Sequence, residues 1–287
     1  MGWEFGLQTW TVRDALASKP GETLALCDGF AFMELAGTGP MSCSELANQC
    51  SGLGVNKVRG AHLCDVGTSV EDVVELAIQY LEAFPGIQWF AFFWNPEDID
   101  EIRAAAERSE VYSRYNAALA SYKTALATAC AEKCRECPAL VYHTYTPDFW
   151  HGPNGGPAYE YLTSCDGIQL DTYFALLAGF DLGRWLESAS GSSPIHSIHV
   201  SGITKEGRHA VLPFPSDDSD AAADFLNLLK GAKRSGAGSL IVEHEIDPAQ
   251  VDSAMMSLKH LQQYTGFDKS PHFKRAVIFE HIQDKDA

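Results

Sequence analysis

The chain has 287 residues, 46% of them hydrophobic, and a formal net charge of −17. That length suits one (β/α)8 domain, typically about 250 residues, and the apolar fraction can fill its core. Such a negative chain would be repelled by nucleic acid and by anionic membranes, so both are excluded as expected partners.

The start, Met1-Gly-Trp-Glu-Phe-Gly, has neither a basic stretch nor a long apolar core, so no signal peptide is read there. No apolar run approaches the roughly 18 residues of a membrane helix. A cytoplasmic setting is expected, with the eight cysteines as free thiols. Cys130, Cys134 and Cys137 have the look of a zinc cluster. They fall in a helical segment without a second half-site, which favours packing over metal.

In chain order, strands are expected at 4–10, 30–37, 55–63, 87–94, 138–145, 167–173, 195–201 and 239–245. Helices are expected after 11, at 42–53, 69–84, within 97–136, near 157–164 and 180–189, and at 220–235 and 248–265. Ser42 reads as an N-cap, and Glu71 and Asp72 suit the first turn of their helix. Residues 204–220 read as a polar loop, and the tail from Gly266 as a short extension holding an amphipathic piece at 273–282. Strands alternating with helices predict a parallel sheet, and eight such units predict a single closed α/β barrel over residues 1–287.

Four strand ends carry groups that bind metals: His143, Asp171, His199 and Glu243. Asp171 follows His143 by 28 residues, His199 follows Asp171 by 28, and Glu243 follows after 44. A βα unit needs about 30 residues, so these side chains fall at matching depth on successive strands, where such barrels place their active sites. Two imidazoles and two carboxylates suit one transition-metal ion, Mn²⁺ or Zn²⁺ ahead of Mg²⁺ or Co²⁺. Alternation turns His196 and His244 away from the pore and returns Glu245 to it. His151, in a loop, reads as a surface residue or a ligand contact. Glu34 and His62 end strands two and three, either as acid/base groups or as a hydrogen-bonding pair. Glu243 is a third candidate base. Trp10, Trp94, Tyr145 and Trp150 could wall a sugar ring, whereas Trp89 and Phe92 read as barrel filling. Arg13 and Arg208 would bind substrate oxygens or pair with Asp14 and Glu206.

From about residue 4 to 262 the chain resembles the sugar phosphate isomerase/epimerase superfamily, the xylose-isomerase-like barrels that include inosose dehydratases and ketose epimerases. Gly6-Leu-Gln-Thr-Trp-Thr-Val-Arg13-Asp14 is similar to the family opening GLQLYSVRD. Met33-Glu34-Leu-Ala-Gly37 resembles VELAG, Gly60-Ala-His62 resembles GAH, Leu170-Asp171-Thr-Tyr173 resembles LDTY, and Ile241-Val-Glu243 resembles the start of VEQD. The resemblance implies a divalent ion on His143, Asp171, His199 and Glu243. It also implies isomerase or epimerase chemistry on a keto-sugar or keto-polyol, by an enzyme that could assemble as a homo-oligomer. Dehydratase or lyase chemistry is the alternative, and a non-catalytic sugar-binding barrel a further one. His143 departs from the usual strand-five glutamate, which puts a symmetrical two-carboxylate epimerisation in doubt. Tyr142-His-Thr-Tyr-Thr-Pro-Asp-Phe149 and His199-Val-Ser-Gly202 depart from the family's YHNHDFEF and HxKD.

Overall fold

A computed structural model describes residues 2–38, 41–53, 57–94, 109–150, 156–188, 194–204, 206–212, 220–245 and 249–266. The expected extension beyond Gly266, residues 97–108 of the long helical stretch, and His151 lie outside these residues.

Eight parallel strands close on themselves. In chain order they are β1 (Glu4–Gln8), β2 (Phe32–Leu35), β3 (Val58–Asp65), β4 (Trp89–Phe93), β5 (Ala139–His143), β6 (Gly167–Asp171), β7 (Ile195–Val200) and β10 (Ser239–Val242), the last pairing with β1 to complete the ring. Helices follow the strands, so the fold is a single TIM barrel. The helix starts follow local chemistry. Ser42 and Glu45 form a reciprocal capping box at Cys43–Cys50, and the Ser69 hydroxyl caps Val70–Ala83 over Glu71 and Asp72.

Several elements differ from the sequence reading. Pro20–Leu26 forms an extra helix that proline opens. The expected helix near 157–164 is one 3-10 turn, Ala158–Tyr161. Strand six stops at Asp171, because that side chain accepts hydrogen bonds from the Tyr173 and Phe174 amides and so starts the helix Thr172–Leu177. Where the polar 204–220 loop begins, β8 (Gly202–Ile203), just ahead of it, and β9 (His209–Ala210), inside it, make a small antiparallel hairpin.

Two apolar layers form the core. The larger fills the space between strands and helices; Phe92 belongs there, stacked 5.1 Å from Tyr122, and does not fill the barrel as expected. The smaller is the barrel floor of Phe32, Trp89, Ala91, Val141 and Ile241. Glu34 and His143 each stand two residues beyond a floor residue on the same strand, and Glu243, just past the end of β10, stands two beyond Ile241. Side chains alternate along a strand, so these polar groups share the pore face one repeat, roughly 7 Å, closer to the mouth.

Glycine makes room for the floor. A Cβ on Gly6 would overlap the Phe32 ring, and one on Gly60 would overlap the Trp89 indole. Gly60→Ala is therefore expected to destabilise the protein by about 1–3 kcal/mol through overpacking. Urea unfolding measures it; a variant as stable as the parent would mean that the floor relaxes freely.

Candidate metal centre

The four strand-end groups predicted to share an ion come together. His143, Asp171, His199 and Glu243 each offer a ligand atom, all within 4.8 Å of one another. Adjacent register does this, with Asp171 opposite His199 on β7, and the Glu243 amide bonded to the Val200 carbonyl at 3.2 Å. His143 Nε2 lies 3.9 Å from Asp171 Oδ2. Asp171 uses Oδ1 to cap its helix, which leaves Oδ2 toward the histidines. Side-chain exposure is 2% for His143, 3% for Asp171, 0% for His199 and 16% for Glu243, so Glu243 is the member most open to the mouth.

His199 sits between two carboxylates. Its Nδ1 donates to Glu243 Oε2, and its Nε2 donates to Glu34 Oε2 at 2.7 Å. Burial alone would lower the imidazole pKa, but the charges of Glu34 and Glu243 and the bonds to both push it up to about 10. Burial works to raise Glu243, yet the charge and hydrogen bond of His199, helped by His143 and His62, hold it at about 2. Glu34 likewise falls well below the carboxylate range against its own burial, through His199 and His62. His143 is driven well below its ordinary value by burial and then by the charges of His199 and His62. Asp171 is raised to about 7 by burial and by the Glu243 charge. A buried carboxylate, a second one open to the mouth and a neutral imidazole around one point form a set that a divalent cation would satisfy, and the mixed nitrogen and oxygen donors fit a transition metal.

A second group, His62, His143 and His199, also has ligand atoms within 4.8 Å of one another. Its imidazoles are already held: His62 Nε2 is 3.0 Å from Gln169 Oε1 and 3.2 Å from Glu34 Oε2. Glu34 and His62, the two candidate groups on strands two and three, thus stand within 3.2 Å of each other. Glu34 is fully buried.

His196 corrects the strand-alternation argument. The β6–β7 register shifts between Ile168 and Gln169, so Ile195 and Ser197 pair with consecutive residues. The irregularity brings the His196 ring 4.9 Å from Trp89 of the barrel floor, instead of into the helix layer. His244 does face outward, buried with Nε2 2.9 Å from Ser257 Oγ.

The mouth has an aromatic side. Tyr145 lies 5.2 Å from the His143 ring. Phe174 and Phe93, which pattern reading passed over, lie 4.4 and 6.0 Å from Tyr145. Trp10 is 39% exposed and donates Nε1–H to Glu245 Oε1 at 2.8 Å. Arg13 lies 4.4 Å over the Trp10 ring and donates to the Trp10 carbonyl, rather than pairing with Asp14. Arg208 is solvent-exposed, 4.0 Å from Glu206, and Trp94 packs on Tyr115. His209 was also missed; it stacks 3.5 Å from Tyr173 on the hairpin. Its signal was absent because only the hairpin brings it there. The eight cysteines are free, Cys134 lies beyond its helix at φ 53°, and no cysteine joins a metal-competent group among the described residues.

Comparison with solved structures gives matches over nearly the whole chain. A sugar phosphate isomerase/epimerase from Parabacteroides distasonis is 18% identical, with a TM-score of 0.60, covering 92% of this chain and 96% of its own. A D-tagatose 3-epimerase-like protein is 14% identical, TM-score 0.59, covering 93% and 100%. The IOLI protein, solved with a bound zinc atom, is 13% identical, TM-score 0.56, covering 92% and 98%. The chain has the fold of the sugar phosphate isomerase/epimerase barrels. No protein-family profile matches it, and no curated protein sequence does. No helix among the described residues is long and apolar enough to cross a membrane.

Proposed function

We propose that the chain is a divalent-metal-dependent isomerase or epimerase acting on an uncharged keto-sugar or keto-polyol through an enediolate. The convergence of His143, Asp171, His199 and Glu243 within 4.8 Å carries this reading. A zinc atom in the IOLI protein, which shares the fold, supports it. A bound ion would polarise a carbonyl beside the reacting carbon and stabilise the negative charge that develops on deprotonation.

The chain's own residues would do the rest. Glu243 is the carboxylate best placed to take a proton from the substrate carbon, since it is the most open to the mouth of the four candidate ligands and is held ionised by His199. His62, with 10% side-chain exposure, is the second group that could hand a proton over. Tyr145, Phe174 and Phe93 would pack against the C–H face of the ring. Trp10 and Glu245, at the ends of neighbouring strands, would meet hydroxyls. Arg13 is engaged with Trp10, which supports a neutral rather than a phosphorylated substrate.

A second reading is favoured by one residue. With histidine at position 143, the site has a single mouth-facing carboxylate base. That arrangement suits removal of a proton followed by loss of a β-substituent, a dehydratase or lyase reaction.

Purified protein is expected to hold about one equivalent of Mn²⁺ or Zn²⁺ per chain, lost in Asp171→Ala. With neutral keto-sugars in D₂O it is expected to exchange the α C–H, stop with a chelator, and restart on metal addition. Deuterated epimer identifies the first reading and an unsaturated product the second. Exchange that ignores chelators, or protein that takes up no divalent metal, would refute the metal enzyme.

A further inference from the structure

Beneath the four candidate ligands lies a closed hydrogen-bond network whose donors and acceptors can be assigned one by one. It starts at Trp89, whose indole N–H can only donate. It donates to Glu34 Oε1 at 2.5 Å. The Gln169 amide nitrogen donates to that same oxygen at 2.8 Å and to Ser197 Oγ at 3.0 Å. The reverse amide orientation would press the Gln169 oxygen against the Glu34 carboxylate, so its direction is fixed.

Gln169 Oε1 must then be an acceptor. It faces His62 Nε2 at 3.0 Å and His143 Nδ1 at 3.2 Å. His143 therefore carries its proton on Nδ1 and keeps the Nε2 lone pair, the atom nearest Asp171. On the other branch, Glu34 Oε2 accepts from His199 Nε2 at 2.7 Å and from His62 Nε2 at 3.2 Å. His199 is thus held with a proton on Nε2, and the nitrogen left for a ligand is Nδ1, the one against Glu243. Glu34, Gln169 and Ser197 are fully buried and Trp89 is 4% exposed, so water does not compete for these bonds. Four donors on one carboxylate also explain how a full charge is kept inside the barrel.

We propose that Glu34 and Gln169 are positioning residues, which hold His199 and His143 in opposite tautomers so that Nδ1 of the first and Nε2 of the second face one ion. This rests on the metal-site reading above. It removes Glu34 from the candidate acid/base groups, because the carboxylate is sealed from the mouth and all its partners are protein donors.

Glu34→Gln separates this role from simple packing. One orientation of the new amide aims its NH₂ at His199 Nε2, which forces the His199 proton onto Nδ1 and blocks ion binding. The other sets that NH₂ against the Trp89 and Gln169 donors. Outer partners of this kind typically control metal affinity by about 10–100-fold. Zn²⁺ titrated calorimetrically into the wild type and into Glu34→Gln is expected to show a loss in that range, with circular dichroism unchanged. In zinc-loaded wild type, long-range ¹H–¹⁵N spectra are expected to report a proton on Nε2 of His199 and on Nδ1 of His143. The same tautomer on both rings, the reverse pair, or a folded Glu34→Gln with undiminished Zn²⁺ affinity would overturn the assignment while leaving the metal site standing. Wild type that binds no Zn²⁺ would overturn the metal site and this inference together. If Glu34→Gln does not fold, the tautomer measurement on the wild type decides alone.

Discussion

His199→Ala is expected to abolish ion uptake and to cost the protein about 3–5 kcal/mol, the penalty typical of breaking a buried ion pair from one side. The reason is the position of the ring. It is wholly buried and donates to carboxylates on opposite sides, Glu34 and Glu243. Removing it strands the Glu34 charge with weaker donors and returns Glu243 to the repulsion of Asp171. Guanidinium unfolding at pH 6 in the presence of chelator measures the loss without any metal contribution. The effect should be strongly non-additive with Glu34→Leu, since the double variant no longer buries the Glu34 charge. A single variant within 1 kcal/mol of the wild type would show that His199 is not charged between these acids, and the electrostatic description of the centre would fail.

The second large effect is on pH dependence. Asp171 is raised to about 7 from an ordinary value of 3.8. A raised carboxylate contributes stability that is complete below the unfolded value and lost as pH rises through the folded one. His199, raised from 6.5 to about 10, contributes stability complete below 6.5 and lost as pH climbs through 10. Glu243, lowered from 4.5 to about 2, contributes above 4.5 and loses it as pH falls toward 2. Asp148, raised to about 6 by burial despite bonds from Tyr145, Tyr112 and Tyr142, adds to the loss between about 4 and 6. Below pH 6.5 the buried imidazoles of His143 and of His244, the latter lowered to about 3, lose stability as pH falls and so oppose Asp171 and Asp148. Metal-free protein is therefore expected to weaken as pH rises from about 6.5 to 10, and to decline again in acid. A divalent ion stabilises the charged forms and displaces the proton on His199 Nδ1, so it binds better as pH rises. The gain in melting temperature on adding Zn²⁺ or Mn²⁺ should be larger at pH 8 than at pH 5. Relative to wild type, metal-free Asp171→Asn should gain stability steadily as pH rises from about 4 to 7, and it should erase the gain from metal. A gain that is equal at both pH values, or larger at pH 5, would contradict the assigned shifts.

The sequence carried the barrel and the four strand ends because both depend on short-range regularities. Alternation of strand and helix sets the architecture, and one unit per roughly 30 residues puts His143, Asp171 and His199 at equal depth. Where alternation held, as at Glu243 and His244, the facing was legible. At His196 it failed, because one irregularity between β6 and β7 changes the parity of everything before it. The polar hairpin that carries His209 was hidden because its two strands have only two residues each.

By itself, then, the chain determined which four metal-competent side chains meet at the mouth, through periodicity and spacing. Only the tertiary structure decided what lies under them: Glu34 on β2, Trp89 on β4, Gln169 on β6 and His199 on β7 meet because the sheet closes on itself. Such contacts cross the pore between non-neighbouring strands. They follow from the circumference and stagger of the closed barrel, which no local stretch of residues encodes.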